Sequence, residues 1–194
     1  MSLSGLVPSH HSDLYKYWNA VRGTRAMPPR SDIDPMDIIK ILPFVGLIER
    51  RDDRYFWRLI GTAIVDHFGR DLTGEPYGAH FSPAAFVAAT TATFDAALDQ
   101  EAPFFDEFIY RSLQGAPHAV SRLVCPLASD GAHPPMVIHT RIHRYCSVVP
   151  ERSSVADQAW GELKNRWQIS SLEEVEQRTE EWARVACSPV ANFS

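Results

Sequence analysis

Apolar residues recur along this chain in two rhythms, and the first to appear is helical. From Ser12 or Asp13 onward, Leu14, Tyr17, Trp18 and Val21 fall at i, i+3, i+4 and i+7, and Gly23 stands in the stop position. Such a helix needs an apolar surface to lie on. Prolines between residues 25 and 35 predict an extended connector, because proline removes a backbone donor and restrains the residue before it. One or two helical turns are expected over 36–42. The rhythm then changes. Residues 44–48 and 55–60 are β-type runs flanking the polar cluster 49–54, the pattern of a hairpin. Gly61 ends the second strand. Thr62 stands where its hydroxyl could cap a helical segment over 63–68, which Gly69 closes in left-handed geometry.

After a loop over 75–81, Ser82 and Pro83 start a helix on which Phe86, Thr90, Phe94 and Leu98 share one face. Ala102-Pro103 ends it. Three β-type runs follow at 104–113, 119–127 and 136–145, with turns at Gln114-Gly115-Ala116-Pro117 and Ser129-Asp130-Gly131. Ala156, Trp160, Leu163 and Trp167 then fit one helical face in spite of Gly161. Leu172, Val175, Thr179, Trp182 and Ala186 fit another, opened by the capping-box pair Ser171 and Glu174. The expected fold is α+β: a five-stranded antiparallel sheet with helices on one face, plus N-terminal and C-terminal helical extensions. The extensions are placed at 1–35 and 147–194, around a core at 36–146.

Motifs spaced along these elements carry a resemblance. Pro28-Pro29-Arg30, Asp34-Pro35, Leu42-Pro43, Arg58-Leu59-Ile60-Gly61-Thr62 and Phe68-Gly69-Arg70-Asp71-Leu72-Thr73-Gly74 resemble, in order and spacing, the pattern of a compact proteobacterial branch of PAS-like domains. Arg122-Leu123-Val124-Cys125-Pro126-Leu127, followed by Ser129-Asp130-Gly131, is similar to that family's approach to its last strand. The resemblance spans about residues 14–145 and implies a sensory fold without saying what is sensed. It also allows cofactor subtypes to be weighed. Flavin photosensors of the family carry a reactive cysteine in the short helix after the second strand, where this chain has Asp66-His67-Phe68-Gly69-Arg70. Haem-binding members use a histidine on the long helix, and 83–99 contains none. Neither cofactor is supported, and no other is indicated.

Composition narrows the classes further. Hydrophobic residues make up 45% and charged residues 22% of the 194, as in ordinary globular proteins. Nineteen basic against twenty-four acidic residues leave a formal charge of −5, which argues against a broad nucleic-acid surface. No run is long and apolar enough for a membrane span and no secretory leader is recognisable, so the cytoplasm is the expected location. The three cysteines have no CxxC spacing, and reduced thiols are expected, with Cys125 a small core hydrophobe.

Candidate chemistry is sparse. No nucleophile elbow or phosphate loop is present, and the adjacent Asp106 and Glu107 point to opposite faces of a strand, so no enzyme is indicated. Period two places Val137, His139, Arg141, His143 and Tyr145 on one face of the last strand. The more apolar Met136, Ile138, Thr140 and Ile142 lie on the other, so the histidines are expected to face away from the core. Histidines four apart on a strand are about 13 Å apart, too far to share a metal ion. The polar candidates for a ligand pocket are Arg58, Thr62, Asp66, Tyr77, His80, Tyr110 and Arg122. Arg58 in an apolar run is either held by an acid such as Asp66 or Asp71, or is the contact for an anionic ligand, for which a carboxylate is the natural class. The pocket is expected between the sheet and the segment 62–99. Leu14, Trp18, Leu172, Val175 and Trp182 offer apolar faces for a homodimer. No output domain accompanies the fold, so a signal passes to a partner or through that dimer.

Overall fold

Strand β4, His118–Leu127, is buried at every position after its first residue, which forces the sheet around it to be covered on both sides. The computed structural model describes residues 9–79, 84–111, 118–145 and 160–186. Within them a single antiparallel sheet runs in the order β2-β1-β5-β4-β3-β6. The strands are β1 (Val45–Arg51), β2 (Arg54–Ile60), β3 (Phe104–Arg111), β5 (Met136–Tyr145) and β6 (Trp160–Gln168). All five expected strands are present, and β1 runs three residues past its expected end. Asp52 and Asp53 make the two-residue turn between β1 and β2 with φ of 46° and 60°, the left-handed pair that matches strand twist.

The helices are α1 (His10–Arg22), α2 (Thr62–Phe68), α3 (Ala84–Asp99) and α4 (Leu172–Ala186). One face of the sheet carries α2 and α3, with Ile48, Tyr55, Trp57, Phe94, Phe108, Tyr110, Val120, Val124 and Val137 in its core. The opposite face is not open, as helices on one side only would leave it. There α1, the connector and α4 bury Leu123, Cys125, Leu127, Met136 and Ile138 together with Leu14, Trp18, Ile33 and Val175. The cause lies in β4, which is largely apolar at both parities, and in β5, whose more apolar parity, with Met136 and Ile138, lies on this side and demands cover. Trp18 Nε1 donates to the Pro126 carbonyl at 2.7 Å, and His11 bridges the hydroxyls of Thr140 (2.7 Å) and Ser121 (3.0 Å). The Ala128 N–H donates to the Pro28 carbonyl at 2.9 Å, laying the connector beside the end of β4.

The second difference is β6. Residues 160–168 were expected to continue a helix and instead form a sixth strand on the free edge of β3. Lys164 is the bulge residue, since Phe108 is opposite Leu163 and Glu107 opposite Asn165. The bulge reverses the parity, so Leu163 packs in the α3-side core and Trp167 in the α1-side core. Spacings of three and four residues therefore imitate a helical face. Gly161 belongs to the strand: a Cβ there would stand 2.4 Å from the Phe86 ring. The helix over 172–186 is as expected, with the Glu174 N–H donating to Ser171 Oγ at 3.2 Å.

Of the five residues on which a homodimer was expected, Leu14, Trp18, Val175 and Trp182 are at most 5% exposed against the chain's own sheet and offer no free interface, while Leu172 is partly buried beside them. Trp18→Ala removes the largest side chain anchoring α1 and one hydrogen bond. It is expected to cost about 3–5 kcal/mol, a drop in urea midpoint at unchanged slope. Met36→Ala, at a residue 69% exposed, should stay within about 0.5 kcal/mol.

Candidate functional site

Strand register lines up a row of charges across the α3-side face. Arg166 of β6 pairs with Asp106 of β3, Asp106 with Arg122 of β4, and Arg122 with Arg141 of β5. Cross-strand neighbours have Cβ atoms about 4.5–5.5 Å apart, so three guanidinium groups and one carboxylate share a narrow strip. Asp106 and Arg122 are fully buried and Arg141 is 3% exposed.

Asp106 serves Arg122. Arg122 Nε donates to Asp106 Oδ1 at 3.0 Å and Nη2 to Oδ2, while Nη1 reaches Tyr77 Oη at 2.9 Å and Nη2 the Thr90 carbonyl at 3.0 Å. The second carboxylate oxygen also accepts from Thr93 Oγ1 at 2.7 Å. Arg166 bonds Thr93 Oγ1 at 2.8 Å and the Ala89 carbonyl at 2.6 Å. The ring of Phe94 lies 4.5 Å below the Arg122 guanidinium and that of Phe108 5.3 Å away.

Arg141 is held differently. Its Nη2 donates to Tyr77 Oη at 3.1 Å, its Nε has no partner, and among the described residues no carboxylate is within ion-pair distance. Trp57, Tyr77 and Phe68 surround the guanidinium at 5.2, 5.7 and 6.0 Å. Burial pulls its pKa below the ordinary arginine value and the neighbouring Arg122 pulls the same way, yet a guanidinium stays charged. Tyr77 receives both arginines. Burial pushes its phenol up, but Arg122 and Arg141 together bring it below the usual tyrosine range. A cavity of about 10 Å³, the room of one water, lies against Arg141 among Tyr77, Phe86, Val87, Thr90, Phe108 and Tyr110.

Histidines complete the inner face, contrary to the outward orientation expected for them. His139 is fully buried with both ring nitrogens unpartnered, between Phe94 (6.4 Å, near parallel) and the edge of Trp57 (5.7 Å). Gly46 makes room for it, since a Cβ there would meet His139 Nε2 at 2.4 Å. Two residues beyond Arg141, His143 stacks on His67 of α2 with centroids 3.9 Å apart, and His118 sits edge-on to His67 at 4.7 Å. His67 bonds Tyr110 Oη, and His143 Nε2 is buried without a partner. Among the described residues no group of three or more such side chains is arranged to hold a metal ion. The stacked pair shows why: ring lone pairs lie in the ring planes, and parallel planes do not converge on one ion.

Of the seven residues nominated from sequence, three meet at this site: Tyr77, Tyr110 and Arg122. Arg58 lies elsewhere. It is the bulge residue of β2, since Ile48 pairs with Trp57 and Leu47 with Leu59, and its Nε is 2.9 Å from Glu49. Its side chain is 48% exposed and points away from the cavity, paired to the largely buried Glu49. Thr62 is exposed and leaves the cap of α2 to the Gly61 backbone, with no side-chain bond, and Asp66 is on the exposed side of α2. His80 lies outside the described residues. Asp106, His139, Arg141 and His143 were missed as site residues. The available signal was α1, an amphipathic helix whose apolar stripe could cover the apolar parity of β5 and leave the polar parity facing inward. Cys125 is a buried core residue whose thiol burial pushes up, so it is not activated.

Asp106→Asn is expected to destabilise the fold by about 3–5 kcal/mol, because Arg122 remains buried without a counter-charge. The double variant Asp106→Leu with Arg122→Met should recover most of that loss in urea unfolding.

Among the described residues no helix is long and apolar enough to cross a membrane. No curated protein matches the sequence. A family model described as PAS domain matches residues 7–139, from the approach to α1 into β5, and covers most of the chain. That match agrees with the strand order, in which the hairpin β1–β2 and the run β3–β4–β5 meet at β1 and β5 and the helices α2 and α3 cover one face. The chain belongs to the PAS domain family.

Proposed function

We propose that this PAS domain is a sensory module whose inner cavity takes a small carboxylate at Arg141. One observation carries the reading: Arg141 is a buried cation with no carboxylate partner among the described residues, beside an Asp106 already committed to Arg122. Burying a charge is costly unless it is paired, and a carboxylate would supply both the counter-charge and an acceptor for Nε. Aromatic walls from Tyr77, Phe86, Phe108 and Tyr110 suit an organic acid with an apolar body. The void holds only a water-sized volume, so the ligand enters as the cover of Tyr77, Phe86 and Val87 shifts. Output then passes to a second copy or another protein through a surface other than the buried faces of α1 and α4.

The small void favours a second reading, an interaction module with a filled core. A thermal-shift panel of small mono- and dicarboxylates separates the two. At a hundred times its dissociation constant a ligand adds about 2.7 kcal/mol, several degrees for a chain of this size. At least one acid should raise the melting temperature in this way, and Arg141→Met should stay folded and abolish the shift. If no acid shifts the midpoint, or Arg141→Met responds like the parent, the carboxylate reading is wrong and the filled core stands.

A further inference from the structure

The histidines on the same face as Arg141 fall outside that reading, which needs only Arg141. His143 shares a strand face with Arg141 two residues away, and its Nε2 is buried without a partner. His67 lies flat on it from α2, a helix in which only Ile64 is fully buried, and the bond from His67 to Tyr110 ties that helix to β3. Removing a weakly anchored cover would thus open His143 and Arg141 together. The ionisable groups facing the pair are Tyr110 from β3, His118 from β4 and Arg141 from β5, and no carboxylate among the described residues acts on either ring. Asp66, beside His67 in sequence, is exposed.

From this arrangement we infer that His67 and His143 form the second half of the acid-binding site, and that the carboxylate is taken up together with a proton on this pair. The inference rests on the carboxylate reading above and adds to it. Without ligand both rings are neutral near pH 7. Burial holds His67 down to about 4 and His143 well below 6.5, and the neighbouring cations add to the effect. A bound carboxylate reverses the sign of the local field and supplies an acceptor for an imidazolium N–H, so the ring gains a proton that the free protein does not hold. Affinity then rises as pH falls, by up to tenfold per unit, down to the titration of the bound pair. A carboxylate held by Arg141 alone behaves otherwise. The guanidinium is always charged and an ordinary carboxylate is fully ionised above pH 6, so affinity would be flat from pH 6 to 8.

The experiment is a titration of the full chain, labelled with carbon-13 in the histidine rings, with formate, acetate and benzoate at pH 6, 7 and 8. The expected result is binding by at least one acid that is lost in Arg141→Met. It should tighten several-fold per unit of falling pH and raise a histidine midpoint by at least one unit. His67→Asn, on a helix with little buried surface, should weaken binding several-fold at pH 6, leave it little changed at pH 8, and so flatten the pH dependence. His143→Gln should do the same, and either variant suffices if the other fails to fold. Arg141-dependent binding that is equal at pH 6 and 8, with histidine midpoints unmoved, overturns proton uptake and leaves the carboxylate reading intact. No binding by any of the three acids overturns both.

Discussion

The inner face of this sheet depends on one imbalance: a row of three arginines across four strands with a single aspartate among them. Asp106 is fully used by Arg122, which spreads its remaining donors over Tyr77 and the Thr90 carbonyl and so ties the sheet to α3 and to the loop before it. Arg166 closes the edge by bonding the same helix. Those contacts are structural, since removing any one strands a buried polar group. Arg141 stands at the end of the row with the charge that nothing described neutralises, and the aromatic rings around it soften that cost without cancelling it. This charge, at 3% exposure, is the feature on which the proposed acid site rests.

The opposite face explains how the site stays in place. Each strand that carries a polar inner residue carries an outer one next to it: Ser121 behind Arg122 and Thr140 between His139 and Arg141. His11 of α1 bonds both hydroxyls. One imidazole of the N-terminal helix thus clamps β4 and β5 directly behind the two arginines. Burial keeps it neutral, with a pKa near 3, so the clamp adds no charge to the sheet.

Elements with a regular period were legible in the sequence, and the devices that break the period were not. Five strands, α1, α3 and α4 follow from turn chemistry and spacing. Lys164 and Arg58 are both bulge residues, and each reverses the faces of its strand. The first made β6 look helical, and the second made Arg58 look like an arginine inside an apolar strand. The site was half visible for a related reason. Tyr77, Tyr110 and Arg122 could be nominated singly, but the row is a product of register between β6, β3, β4 and β5, which no local pattern encodes. Asp106 was set aside because Glu107 is its neighbour in sequence, whereas its partner is across the strand. The histidines look outward from sequence because the more apolar parity of β5 suits a one-sided core, whereas α1, the connector and α4 supply a second core on that parity.

Whether Arg141 is an acid-binding group is read most directly at its own Nε–H. In proton–nitrogen-15 spectra of the arginine side chains, assigned through Arg141→Met and Arg122→Met, the account predicts a selective response. Saturating acid moves the Arg141 Nε–H signal downfield and protects it from exchange, while the Arg122 signal, already bonded to Asp106, stays in place. An Arg141 signal that is unchanged at saturation with a bound acid, or one that is already protected in the free protein, would contradict it.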